Sequence, residues 1–474
     1  MTGPSVLVVR LPCKKIYPIG PVYLASLIRQ VAPDWSVRLL DLALIDPPTR
    51  RRVLGNAIRE SHPDSIAFSW RDVQVFSPQD MDEAMRDSFA FFYDSSPFMK
   101  AKAAIRGIGH IFSYHNRLSD NLSFIDEACK SAPSSLIAVG GPSIRVFGDL
   151  LRPHIPDRVH VLSDPTQFFS LLGLPPPENP LEPRVDPAVL EGIFPQWGAY
   201  AGEEIGVQTK QGCPNNCLYC LYGYLEGRHV LRREPWRVAE EIENYHRRWG
   251  CERFWFVDAQ LLSDGADDEH LTEILEGLRE KELNVSWSGY MRIDRLKPGL
   301  ADLMVRTGLR DLEIALNSGA QSVVDRLRMG FSVEDVIEGL KVLKSAGYSG
   351  RIMIDLSLNS PGDTRETLGQ TISTFERIQG IFSRDRVKPV IFFLAIQPHT
   401  ALERMALDEG HIKAGYNPMS VWPWAIRKLI YNPPPLGRLI GQCCADAFRR
   451  TPGERGNAIL SILKSKLEAG GRQR

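Results

Sequence analysis

Three cysteines, Cys213, Cys217 and Cys220, stand within eight residues of one another in "KQGCPNNCLYC", residues 210–220. Closely spaced thiolates are soft donors suited to zinc or to iron-sulfur clusters. Zinc sites and most ferredoxin-type clusters close with four protein ligands, and no fourth cysteine or histidine completes this run. Three thiolates on a cubane of four irons leave one iron without a protein ligand. An open coordination position is what turns a structural or electron-transfer centre into a catalytic one, so the pattern points to a substrate or cosubstrate as the fourth ligand.

The elements that must position these thiolates can be read from the alternation of short apolar runs with helical stretches. Residues 201–416 contain six such runs: "IGVQTK" (205–210), "RFWFVD" (253–258), "NVSWSGY" (284–290), "DLEIAL" (311–316), "RIMIDLSL" (351–358) and "PVIFFLAI" (389–396). Helical segments such as "PWRVAEEIENYHRRW" separate them. This predicts a partial (β/α)6 barrel with the cysteines in the loop after its first strand, at the strand ends where such barrels gather their chemistry.

Residues 1–173 predict a separate α/β unit, a doubly wound, Rossmann-like parallel sheet with strands at Ser5–Arg10, Ser36–Leu42, Ser65–Trp70 and Leu136–Gly141. The long connection at about 77–131, rich in aromatics, predicts a helical insertion. The proline-rich "LPPPENPLEPRVDP" (174–187) opens a linker over 174–200, stiff and poor in regular structure. Residues 417–474 predict a mostly helical C-terminal extension.

Composition excludes other classes. With 57 basic and 57 acidic residues the chain is neutral, without the positive excess that binding along a nucleic acid requires. No long apolar run or charged leader is present, so no membrane partner is expected, and eight cysteines outside any disulfide-like framework fit a reducing, cytoplasmic setting. The basic excess after Trp424 reads as a solvated helical face or as a dock for an acidic electron-transfer partner.

The CxxxCxxC spacing, with Tyr219 just before the last cysteine, resembles the signature of the radical S-adenosylmethionine (SAM) superfamily. The resemblance implies a 4Fe-4S cluster held by Cys213, Cys217 and Cys220, with SAM chelated at the open iron and cleaved to a 5'-deoxyadenosyl radical. The stretches "REPWRVAEEIENYHRRWGCERFWFVDAQLL", "WSGYMRIDRLKPGLADLMVRTGLRDLEIALNSGAQSVVDRLRMGFS" and "LSLNSPGDTRETL" are similar to the subgroup that carries an N-terminal cobalamin-binding domain. By that resemblance Asp258, Arg292, Asn317 and Ser318 contact SAM. Asn317 replaces the glutamate common at its position, which keeps hydrogen bonding and loses the charge. His399 stands in the later turn at the barrel mouth, where it either contacts substrate or is an ordinary turn residue.

In the N-terminal unit "YPIGPVYLASLIRQ" and "SLIAVGGPS" resemble the same subgroup, which implies cobalamin between the two domains, near Gly140 and Gly141. The Asp-x-His-x-x-Gly motif of base-off cobalamin proteins is absent: "PDS" follows His62 and "LALIDP" follows Asp41. The late "GEGE" turn of the subgroup is replaced by "VLSDPTQF". The family also binds cobalamin without a protein lower ligand, a side chain after the third strand then shielding the cobalt; here Trp70 and Arg71 fall at that point.

The reading is a cobalamin-dependent radical SAM C-methyltransferase acting on a small-molecule substrate, an intermediate of natural-product tailoring such as a heteroaromatic acid, with a flavodoxin- or ferredoxin-type electron donor. The alternatives are a radical SAM cyclase, oxidase or rearranging enzyme without methyl transfer, and a cluster-carrying sensor.

Overall fold

A computed structural model describes residues 3–71, 82–450 and 455–471. The first sheet contains β1 (Ser5–Arg10), β2 (Ser36–Asp41), β3 (Ser65–Ser69), β4 (Leu136–Gly140) and the two-residue edge strand β5 (His160–Val161). All are parallel, in the order β2-β1-β3-β4-β5. Strand order reverses between β1 and β3, and a ligand of such a sheet binds in the crevice at that switch point.

The alternation along β1 explains how the domains join. Val6 and Val8 point into a hydrophobic core that is continuous with the barrel, through Tyr17, Tyr23, Phe194, Val238 and Ala239. Leu7 and Val9 point the other way, into a second core with Leu54, Ile58, Phe68, Phe124 and Phe147. That second face is covered by the helices Arg50–Ser61 and Pro97–Ser131. The expected insertion is therefore a helical pair, Asp82–Tyr93 and Pro97–Ser131.

The segment expected as an extended linker is instead packed. Asp186 accepts from Ala188 N at 2.8 Å and caps a short helix, Pro187–Ile193, whose Leu190 and Ile193 are buried. Tyr200, at its end, donates to Asp41 at 2.5 Å, while Arg10 donates to both Asp41 (2.8 Å) and Tyr200 (2.9 Å). Pro187 starts the helix, and the segment does not hold the domains apart, because apolar residues between its prolines, such as Leu181 and Val185, have a core to enter.

The barrel is formed by β6 (Ile205–Val207), β9 (Arg253–Phe256), β10 (Ser286–Tyr290), β11 (Leu309–Asn317), β12 (Arg351–Ser357) and β13 (Val387–Phe392), each parallel to its neighbour in chain order. Between β6 and β9, β7 (Lys210–Gln211) and β8 (Leu231–Arg232) pair as an antiparallel ribbon that brackets the three cysteines. The first barrel run thus ends at Val207 and a second pairing begins at Lys210.

The C-terminal extension returns to the first domain. Its helix Leu436–Arg450 lies on Asp82–Tyr93, with Gly441 so close to Tyr93 that a Cβ there would meet the ring at 2.5 Å. Among the described residues no helix is long and apolar enough to cross a membrane.

Candidate active site

The cysteine loop is fixed from several sides before any ligand is considered. Gly212 has a φ of 94°, and a Cβ on it would lie 2.1 Å from the His229 carbonyl oxygen, so the strand-to-loop turn requires glycine. Cys213 N donates to Gly227 O (3.1 Å), Leu218 N to Leu327 O (2.9 Å) and Leu402 N to Leu218 O (2.8 Å). Arg228 holds the Asn215 carbonyl (2.8 Å) and Asn216 Oδ1 (2.7 Å). Such multiple anchoring sets the thiols with little freedom left to lose on binding.

Burial dominates the chemistry of the thiols. It pushes Cys217 up to about 12, with the charges of Cys220 and Cys213 adding to the effect and Arg292 opposing it. Cys220 is pushed up to about 11, again chiefly by burial, with the N–H of Tyr222 opposing. Each thiol therefore lies within electrostatic reach of the others. Among the described residues no three Cys, His, Asp or Glu side chains converge on a single ion. Spaced thiols on one anchored loop are what the separate irons of a cluster require, and the donor set fits a 4Fe-4S cluster with one iron left open.

Two of the residues expected to contact SAM, Asp258 and Arg292, also anchor this loop. Asp258, 1% exposed, accepts from Thr209 N and Lys210 N at 2.9 Å and from Thr209 Oγ1 at 2.7 Å, tying β7 to the end of β9. Arg292 grips Asp294 with Nε (2.9 Å) and Nη2 (2.8 Å), and reaches Asn215 Oδ1 (2.9 Å) and Gly330 O (2.8 Å). Ser318, buried, exchanges a hydrogen bond with Thr371 (2.9 Å) and accepts from Ala320 N (3.2 Å). Asp258 and Arg292 position the loop through these bonds, whereas Ser318 ties the turn after β11 to the helix Arg365–Ile381. Asn317 sits in the left-handed region at φ 61°, accepts from the Tyr219 hydroxyl (3.1 Å) and donates to Ser357 (3.1 Å).

The N-terminal expectations divide. Trp70 is 1% exposed and belongs to the second core, on which Leu221 and Leu225 after the cysteine loop also pack. The end of β3 turns it inward because Trp70 N donates to Gly140 O (2.9 Å) and continues the sheet. Gly140 and Gly141 serve that same junction: a Cβ on Gly141 (φ 106°) would lie 2.6 Å from Trp70 O. The missing Cβ of Gly141 is what lets the two backbones meet there. Arg71 is exposed and close enough to Tyr222, two residues past Cys220, to oppose the effect of burial on its hydroxyl. His62 caps the helix before β3, at the sheet's other end from this junction. His399 stacks on Tyr224 with ring centres 4.0 Å apart and contacts Val146 O (3.3 Å), so it joins the barrel mouth to the first domain.

Sequence reasoning missed the polar interior of the barrel. Glu313 on β11 and Asp355 on β12 form a half-buried pair with the Tyr290 hydroxyl on Glu313. Burial first, then the neighbouring Glu313, push Asp355 up to about 8, so the two acids share a proton at neutral pH. Asp355 Oδ1 has no hydrogen-bond partner. Glu226 is another such group; burial pushes it up to about 7 although it accepts from Gly212 N at 3.1 Å. The alternation of polar with apolar residues in "DLEIAL" and "RIMIDLSL" was the available signal.

Residues 207–375 match the model of the radical SAM superfamily. The chain thus carries a radical SAM domain over that stretch. Its cofactors are accordingly SAM and a 4Fe-4S cluster, the group that the three thiols fit. The radical SAM methyltransferase TsrM from Kitasatospora setae, solved with tryptophan and a SAM analogue, superposes with a TM-score of 0.64 at 17% identity, over 86% of this chain and 76% of that one. The cobalamin-dependent radical SAM enzyme OxsB in its apo form gives 0.62 at 13% identity, over 98% and 71%. These likenesses establish the shared fold, including the N-terminal domain. An uncharacterized methyltransferase of Pyrococcus horikoshii is 22% identical over 304 residues, 61% of this chain, and the match spans 58% of that relative's length.

Proposed function

We propose that the chain is a cobalamin-dependent radical SAM C-methyltransferase that modifies an unactivated carbon of a small biosynthetic intermediate, in natural-product tailoring. The observation that carries this reading is the way the two sheets face each other. Directly after Cys220, Leu221 and Leu225 pack on the core that contains Trp70 and Ile144 of the first domain, and Tyr224 donates to Arg145 O at 3.0 Å. A cofactor at the strand ends of the first sheet is thereby turned toward the cysteine loop. OxsB is solved with aqua-cobalamin and SAM, and TsrM with cobalamin and its cluster. In this chain Arg71 is the exposed side chain that would meet cobalamin.

With its cofactors bound, such a site supplies the one-electron chemistry that a carbon of low acidity needs before it can accept a methyl group. The chain's own residues hold and orient. Arg292 places positive charge beside Cys217. Tyr219 and Asn317 link the loop to β11 and β12. The pair of Glu313 and Asp355 offers one proton and several acceptor lone pairs to a polar group of the substrate inside the barrel.

The test is anaerobic purification with cobalamin supplied, iron, sulfide and cobalt being measured on one sample, followed by assay for deoxyadenosine and methylated product. About four irons and one cobalt per chain support the reading. Four irons with no cobalt, together with deoxyadenosine formation, would replace it with a radical SAM enzyme that does not transfer methyl.

A further inference from the structure

Four arginines meet at the strand starts of the barrel, the end opposite the cysteines. Arg253 opens β9, Arg310 is the second residue of β11, Arg351 opens β12 and Arg386 immediately precedes β13. With Asp311, Ser349 and Gly350 they line a recess of about 430 Å3.

Two carboxylates are hydrogen-bonded to these guanidiniums, and a third, Glu203, lies within electrostatic reach of Arg253. Asp311 receives Arg310 Nε and both Arg351 Nε and Nη2, all at 2.9 Å, and Glu204 receives Arg310 Nη2 at 2.6 Å. Arg253 donates to the Gly202 carbonyl. Among the described residues the Arg386 guanidinium has no hydrogen-bond or ion-pair partner. The recess thus holds more positive than negative charge, with the whole Arg386 fork and Arg351 Nη1 uncommitted.

Its floor is rigid. The buried Tyr348 hydroxyl donates to Arg310 O (3.0 Å) and Arg351 O (2.8 Å), which locks the starts of β11 and β12 together. A Cβ on Gly350 would lie 2.0 Å from Arg310 O, so only glycine allows the backbones to approach this closely. Like charges held on a rigid floor repel one another unless an anion is shared among them, and guanidinium forks match planar oxyanions in geometry.

We propose that this recess binds a small multivalent oxyanion, a phosphoryl or polycarboxylate group whose oxygens accept from Arg386, Arg253 and Arg351. Seven residues of β11 separate Arg310 from Asn317, about 23 Å of strand, so the ligand is an effector or a structural anion and does not touch the cysteine loop. By linking three strand starts it stabilises the barrel by an amount that grows with the logarithm of its concentration above the dissociation constant.

The test uses the full chain with pyrophosphate and, separately, citrate, at an ionic strength held constant with KCl, read by calorimetry and by the thermal transition. The expected result is saturable binding of at least one of them, with a transition temperature that rises with its concentration. The ranking of the two anions identifies the phosphoryl or the carboxylate source. Arg386→Ala gives up no side-chain bond of the fold, so its anion-free transition should match the parent while its affinity falls roughly tenfold to a hundredfold. Arg386→Lys keeps the charge and loses the fork, and should fall between the two. Absence of saturable binding of either anion to the parent chain, or equal affinity in the parent and Arg386→Ala, overturns the proposal.

Discussion

The hydroxyl of Tyr219, in the cysteine loop, donates to Oδ1 of Asn317 at the end of β11, 98 residues away in sequence, at 3.1 Å. Asn317 is buried and Tyr219 half-buried, and the other arm of Asn317 is bonded to Ser357 on β12. The bond therefore couples the loop to two strands. Tyr219→Phe leaves a buried acceptor unpaired and should cost about 1–2 kcal/mol in urea unfolding. Iron content after reconstitution should not change, because the three thiols remain; a drop in iron would show that the hydroxyl is needed for cluster retention itself.

Loading of the cluster should release protons. Cys217 and Cys220 lie near 12 and 11, so both are thiols at neutral pH, and iron binds the thiolates. Reconstitution in weak buffer should acidify the solution by about two protons per chain from this pair. Binding should tighten as the pH rises toward those values. Cys217→Ala should lose stable iron and all deoxyadenosine formation, and a titration that reads no acid release would contradict the assignment of these thiols.

The acid pair in the barrel predicts the pH dependence of folding. Asp355 is held well above its usual value, at about 8. A carboxyl raised on folding contributes stability that is full below its unfolded value near 4 and is lost as the pH rises through about 8. Asp355→Asn removes that titration. The variant should lose less stability than the parent between pH 5 and pH 9, by an amount on the order of a few kcal/mol in denaturant unfolding. Parallel curves for the two proteins would rule out a shared proton.

Trp70 and Arg71 are neighbours with opposite predicted effects. Trp70→Phe shrinks a filled core position and should cost about 1–3 kcal/mol of stability while leaving the visible spectrum of added cobalamin unchanged. Arg71→Ala touches an exposed side chain, and should change that spectrum or the cobalamin affinity with little effect on stability. The reverse pattern would move the proposed cobalamin face away from Arg71.

Much of this architecture could be read before the structure. The first strand, Ser5–Arg10, falls where its apolar run predicts, and the barrel strands lie within a few residues of theirs. Long apolar runs between helices carry that information because a parallel sheet is buried on both faces. What escaped were elements too short to show a period, such as β5, β7 and β8, and the helix Pro187–Ile193, hidden among prolines. Pairings escaped for a different reason. Glu313 and Asp355 are 42 residues apart on separate strands, and only strand register brings them together. The roles of Asp258 and Arg292 were legible as placement near the cluster, but their bonds to the loop backbone and to Asn215 were not.

The C-terminal helices fasten the molecule shut. Leu436–Arg450 is seated on an insertion of the first domain by the fit of Gly441 against Tyr93, and Arg455–Gly471 is seated on β13, where a Cβ on Gly456 would meet Pro389 O at 2.1 Å. The segment that clasps the two halves of the protein thus follows both sheets along the chain. Every strand of both sheets is therefore synthesised before this clasp, which closes over surfaces already formed.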